Sequence, residues 1–117
     1  MDEQVFKQRT KKLALRIIEL VEALPQSRTA DVIGRQLLRS ATSVGANYRA
    51  ACRGKSRADV LSKLAIVEEE GDESAYWLEL LIEAKIVAEG DVVDLLRETN
   101  EIVAMTVASI KTLRKRK

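Results

Sequence analysis

The chain has 117 residues, 46% of them hydrophobic, 32% charged and only 3% aromatic, a balance that suits one soluble helical domain rather than a disordered chain. No apolar run approaches the ~20 residues needed to cross a bilayer, the N-terminus lacks the apolar core of a secretory signal, and Cys52 is the only cysteine, so no membrane partner and a reducing cytoplasm are expected. Histidine is absent, which removes histidine triads, zinc sites and the Glu-x-x-His pairs of two-metal bundles; no catalytic residue, cofactor or resident metal is expected.

One proline and five glycines favour long helices over a turn-rich sheet. The net charge of +2 and pI of about 8.8 conceal strong segregation. Residues 1–27 carry +1, residues 28–63 carry +6, residues 64–101 carry −10 and residues 102–117 carry +5. Such blocks neutralise one another in the fold or recruit partners of opposite sign.

The periodicity predicts a first helix from about Gln4 to Leu24, with Leu13, Ile17, Leu20 and Leu24 on one stripe and Ala14, Ile18 and Val21 beside it. Pro25 ends it, because the residue before a proline is pushed out of the α region. A second helix starts near Thr29, read as its N-cap, with Asp31 favouring the positive end of its dipole. It stops before Gly54, a natural residue for the position after a helix end, and Gly45 offers a bend midway.

Residues 28–53 are the most informative stretch. At about 100° per residue, Arg28, Arg35, Arg39, Arg49 and Arg53 share an arc of about 80°, and Ile33, Leu37, Ala41, Val44, Tyr48 and Ala51 lie across the axis. A solvated face usually mixes signs, so five arginines on one stripe call for a partner. They pair with the acidic block, within one bundle or across a subunit boundary, or they lie along a phosphate backbone with bidentate guanidinium contacts. Thr42, Ser43 and Asn47 form a polar cluster in the same helix, with Asn47 placed for an interhelical hydrogen bond. Cys52, on the margin of the apolar stripe, reads as a packing residue.

Ser56-Arg57-Ala58-Asp59 reads as a capping box opening a third helix to about Glu89. Its stripe is Val60, Leu64, Val67, Gly71, Ala75, Leu78 and Ile82, with Gly71 marking a close helix approach at a cost of roughly 1 kcal/mol against alanine. The cluster Glu68, Glu69, Glu70, Asp72 and Glu73 reads as a solvated or ion-paired face rather than a metal site. Tyr76 and Trp77 flank the core arc and seal a helix or subunit contact. Gly90 closes this helix and Asp91 caps a fourth, which follows Val92, Leu96, Val103, Val107, Ile110 and Leu113. Residues 1–113 thus form a single domain of all-α class, an antiparallel up-and-down four-helix bundle, and Arg114, Lys115, Arg116 and Lys117 form a basic tail with free positive charge.

The run from Leu37 to Asn47 (LLRSATSVGAN), followed by Arg53-Gly54-Lys55-Ser56, resembles the signature of the bacterial four-helix-bundle proteins named after 23S ribosomal RNA intervening sequences. In that family Arg-x-Ala-x-Ser-(Val or Ile)-(Pro or Gly)-Ala-Asn leads into a glycine and a basic turn, which gives Ser43, Asn47 and Gly54 the standing of motif residues. Residues 67–81 look like one branch's variant of the third helix, departing at Gly71 where alanine is expected. The resemblance implies a bundle that assembles into a ring, a homopentamer, with no established catalytic activity. A related branch, the accessory variability protein of diversity-generating retroelements, forms a basic pentameric barrel that engages nucleic acid and a reverse transcriptase. The expected partners are therefore further copies of the chain and RNA or a nucleic-acid-processing protein; a scaffold whose charges pair between subunits is the alternative.

Overall fold

The computed structural model describes residues 2–116. Within them the chain forms α1 (Glu3–Glu22), α2 (Arg28–Cys52), α3 (Arg57–Glu83) and α4 (Glu89–Lys115). Connections of four or five residues turn each helix back on its predecessor, which gives the antiparallel up-and-down four-helix bundle. The molecule measures 50 × 20 × 20 Å, its length set by helices of 27 residues, about 40 Å each at 1.5 Å per residue. α2 and α3 form the most extensive contact and α1 and α4 the least.

Two helix starts follow from hydroxyl caps. Ser27, extended at φ −149° and ψ 159°, accepts a hydrogen bond from the Ala30 N–H at 3.1 Å. It therefore replaces Thr29 as the N-cap, and α2 begins at Arg28. Ser56 caps α3 as the sequence indicates, accepting from the Asp59 N–H at 3.1 Å. The Asp59 carboxylate returns the bond to the Lys55 N–H at 3.2 Å, one residue before the position a capping box uses.

The boundary between α3 and α4 corrects the sequence reading. α3 ends at Glu83 rather than Glu89, because Lys85 takes a left-handed φ of 60°. The Lys85 N–H then donates to the Ile82 carbonyl and the Ile86 N–H to the Leu81 carbonyl, both at 3.0 Å, the two bonds of a Schellman motif. Ile86 and Val87 turn onto the core, so the chain reverses before it reaches Gly90. α4 starts at Glu89 behind Ala88, which caps it without a side-chain bond; Asp91 lies in its first turn and serves the dipole rather than the cap. Gly54 follows α2 as expected, yet no glycine has positive φ. A side chain there would meet Val60 Cγ2 at 2.5 Å, so the constraint is the close return of α3.

The core is Leu, Ile, Val and Ala with Phe6 and Tyr48 edge to face, ring centroids 4.6 Å apart. All six apolar residues expected of α2 are buried. In α4 the expected Val92 and Ile110 are buried, but between them the core positions are Leu95, Thr99, Ile102 and Thr106, while Leu96, Val103 and Val107 lie on the flank. Thr99 and Thr106 make this possible, since each hydroxyl donates to the carbonyl four residues earlier at 2.7 Å and so enters the core satisfied. Gly71 does mark a close approach; a Cβ there would stand 2.7 Å from Val103 Cγ2.

Lys85 provides a test of the α3 stop. A non-glycine residue in the left-handed region costs about 1–2 kcal/mol, so Lys85→Gly should raise stability in urea unfolding by about 1 kcal/mol after the extra backbone entropy of glycine is counted. A loss of stability would show that the lysine stem contributes more than its backbone strain.

Candidate nucleic-acid interface

The five arginines of α2 stand on its outward face, all exposed, and they meet different fates. Arg39 bridges to α3, pairing with Glu70 at 2.8 Å and with Glu73. Arg35 pairs along its own helix with Asp31 at 2.8 Å. Among the described residues, Arg28, Arg49 and Arg53 have no ion pair. The expected pairing of the stripe with the acidic block is thus realised at its centre, through Glu70 and Glu73.

Arg49 and Arg53 line a groove of about 430 Å³ between α1 and α2, together with Lys7 and Lys11. Ala14 and Ala46 supply methyl groups along it, Gly45 supplies bare backbone, and Gln4, Gln8 and Thr10 complete the lining, which contains no carboxylate. Gly45 sits where α2 meets α1, its Cβ position 3.4 Å from Thr10 Oγ1, inside a continuous helix. Arg114 and Lys115 belong to the last turn of α4 and Arg116 is its C-cap, so the basic tail is largely a helix end. Arg116 lines a second groove with Glu3, Tyr48 and Cys52, at the end of the bundle that also holds Lys55 and Arg57. Lys117 lies outside the described residues. The helix ends that carry Arg49, Arg53, Arg114 and Arg116 are C-terminal, where cations complement the dipole.

Ser43 and Asn47 form a closed local pair. The Asn47 amide donates to the Ser43 carbonyl at 2.9 Å and to its hydroxyl at 2.8 Å, so the expected interhelical bond is replaced by one within α2. The hydroxyl contact between α2 and α3 is instead Ser40 with Ser74, 2.8 Å apart and fully buried. Cys52 is half-buried, and burial raises its thiol above the ordinary value, as it raises the Tyr48 hydroxyl, which suits packing rather than nucleophilic chemistry. Trp77 donates its indole N–H to Glu73 at 3.0 Å. Among the described residues no three His, Cys, Asp or Glu side chains converge on a common point, and no helix is long and apolar enough to cross a membrane.

Two features escaped the sequence reading. Arg9 joins α1 to α4, donating to Glu98 at 3.0 and 2.6 Å and to Glu101 at 3.3 Å. Lys7 and Lys11 form the second wall of the groove. Their spacing of one turn on α1 was a signal, but only the pairing of α1 with α2 brings them to Arg49 and Arg53.

Fold and charge together define an all-α, antiparallel four-helix-bundle protein with a basic end. The chain belongs to the 23S rRNA-intervening sequence protein family, whose sequence pattern matches residues 2–108. It is also similar to the crystal structure of a protein of unknown function from the S23 ribosomal protein family of Bacteroides thetaiotaomicron VPI-5482, at 36% identity and a TM-score of 0.87 over 95% of this chain and 99% of that one. The comparison with curated proteins found no match.

Glu73 gives this surface a measurable pH response. The Trp77 indole first, and Arg39 second, hold its carboxyl below the ordinary value of 4.5. A lowered folded value means that its stabilisation is complete above the unfolded carboxylate range and is lost as pH falls through the folded value. Thermal unfolding between about pH 3 and 6 should therefore show a melting point that falls on the acid side, and Glu73→Gln should flatten that fall. Equal acid sensitivity in both proteins would show that the Arg39–Glu73–Trp77 contact does not contribute.

Proposed function

We propose that this protein is a non-enzymatic, ring-forming bundle, a homopentamer, that binds RNA or a ribonucleoprotein partner in the bacterial cytoplasm. The observation that carries the reading is the set of cations at one end of the bundle, Arg49, Arg53, Arg114, Lys115 and Arg116, which form no ion pair among the described residues. Unneutralised guanidinium and ammonium groups on rigid helices suit phosphate oxygens, the dominant source of affinity for nucleic acid. Val5, Leu15, Val32 and Tyr76, each more than half exposed, support assembly, since contact with further copies would cover them. The family's link to 23S rRNA intervening sequences favours RNA over other polyanions.

A second reading, a scaffold whose charges pair between subunits, draws on Arg28 at one end of α2 and on Glu69, Asp72, Glu79 and Glu83, exposed on α3. Light scattering coupled to size exclusion should give a mass several times 13.1 kDa; a monomer at micromolar concentration would remove the ring. Structured RNA should bind with a log–log salt slope of roughly −0.7 to −0.9 per phosphate neutralised. Replacing Arg28, Arg35, Arg39, Arg49 and Arg53 by glutamine should weaken RNA affinity if the first reading holds. Dissociation of the oligomer with RNA affinity intact would give the protein to the scaffold reading.

A further inference from the structure

We infer that the groove between α1 and α2 is the strand-docking site of this protein, in which Lys7, Lys11, Arg49 and Arg53 hold a nucleic-acid backbone without reading its bases. The inference rests on the nucleic-acid reading above and assigns it a place. Two walls of like charge face one seam: Lys7 and Lys11 on α1, Arg49 and Arg53 on α2. Within each wall the cations are four residues apart, about 6 Å along the helix axis, the order of the step between successive phosphates on one strand.

Helix dipoles do not account for this arrangement. Arg49 and Arg53 sit at the C-terminal end of α2, where a cation is favoured, but Lys7 and Lys11 lie in the N-terminal half of α1, where it is not. Like charges gathered across a helix seam repel, and the fold supplies little relief. Lys7 has Glu3 at 3.3 Å, an exposed pair of small worth that a phosphate can replace. Lys11, Arg49 and Arg53 have no carboxylate partner among the described residues.

The shape sets the class of ligand. Gly45 and Ala46 leave room between the walls, so the groove of about 430 Å³ admits a backbone between them. No aromatic residue lines it; Tyr48 is buried and Trp77 and Tyr76 belong to α3. Base stacking, the usual second source of single-strand affinity, is missing, and so are carboxylates to accept from base amino groups. Gln4, Gln8 and Thr10 are the remaining polar groups of the lining. Thr10 is closed on its own backbone, and beside four cations the glutamines serve phosphate and sugar oxygens, as such side chains commonly do. Contacts limited to phosphates fix position and carry no sequence information. The occupant is therefore a single strand bound with little regard to sequence.

The test uses the full chain and labelled RNA of about 16 nucleotides, oligo(U) and oligo(A), followed by fluorescence anisotropy between about 50 and 200 mM salt. Lys11→Gln with Arg53→Gln, and separately Ala46→Glu, change exposed positions and should leave helix content and melting unchanged. Each should lower affinity about tenfold at the lower salt, and the double substitution should flatten the log–log slope by about two units. Wild-type affinity for the two oligomers should agree within about threefold. Groove variants that bind like wild type, while deletion of residues 114–117 abolishes binding, would overturn the groove and leave the broader reading intact. A strong preference for one oligomer would overturn backbone-only recognition. Wild-type protein that binds neither oligomer nor structured RNA would remove the nucleic-acid reading and the groove with it.

Discussion

The burial of one face of α2 between α1 and α3 fixes the placement of the charges on this molecule. That face is built from small groups where the neighbours press closest. A Cβ at Gly34 would stand 3.0 Å from Leu24 Cδ1 and one at Gly45 3.4 Å from Thr10 Oγ1, while Ala41 is fully buried and Ser40 shares its hydrogen bond with Ser74. Rotating α2 would drive larger side chains into α1 or open voids against α3, each worth several kcal/mol in a packed core. With the rotation fixed, Arg28, Arg35, Arg39, Arg49 and Arg53 have only the outward arc. Their common orientation follows from packing and precedes any role they serve.

Hydroxyl groups set the register around this frame. Ser40 and Ser74 meet at the α2–α3 contact, and Ser74 also donates to the Glu70 carbonyl at 2.8 Å. Thr10 donates to the Phe6 and Lys7 carbonyls at 3.1 Å, and Thr99 and Thr106 are closed on α4 in the same way. No buried side-chain polar atom among the described residues lacks a partner. Of these groups only the serine pair links two helices, and since Ser40 also bonds the Leu37 carbonyl at 3.2 Å, sliding α3 along α2 would cost the one shared bond, about 0.5–1.5 kcal/mol, and leave both hydroxyls satisfied within their own helices. The threonines are neutral to such sliding, since their bonds stay within their own helix.

The sequence made the four helices, the family and the orientation of α2 legible, because in α2 two independent patterns, arginine and apolar, agree on one phase. It misplaced the α3–α4 boundary because a lysine, rather than Gly90, takes the left-handed residue, and nothing in a lysine codon announces positive φ. It placed Val92 and Ile110 in the core but misphased the middle of α4, because Thr99 and Thr106 count as polar in a periodicity although a threonine bonded to its own backbone packs as an apolar group. Asn47 was misassigned for a related reason: Ser43, one turn away, satisfies it before a neighbouring helix can. The groove was half legible, as Arg49 and Arg53; its other wall depends on which helix faces which, and no single-helix pattern contains that.

Charge count and charge pairing part company for the same topological reason. Residues 64–101 hold enough carboxylates to neutralise the whole stripe, yet the antiparallel crossing of α2 and α3 at Ser40 and Ser74 brings only Glu70 and Glu73 within reach of Arg39. Arginines toward either end of α2 are left to their own helix, as Arg35 is with Asp31, or to α1, which answers Arg49 and Arg53 with lysines. The molecule is 50 Å long, several times the Debye length of about 8 Å at physiological ionic strength. Acidic groups on the body of α3 and α4 therefore screen the basic end only weakly through solvent. A protein of net charge +2 can in this way present a strongly positive end to an anion, because its opposite charges are held apart by rigid helices rather than mixed on one face.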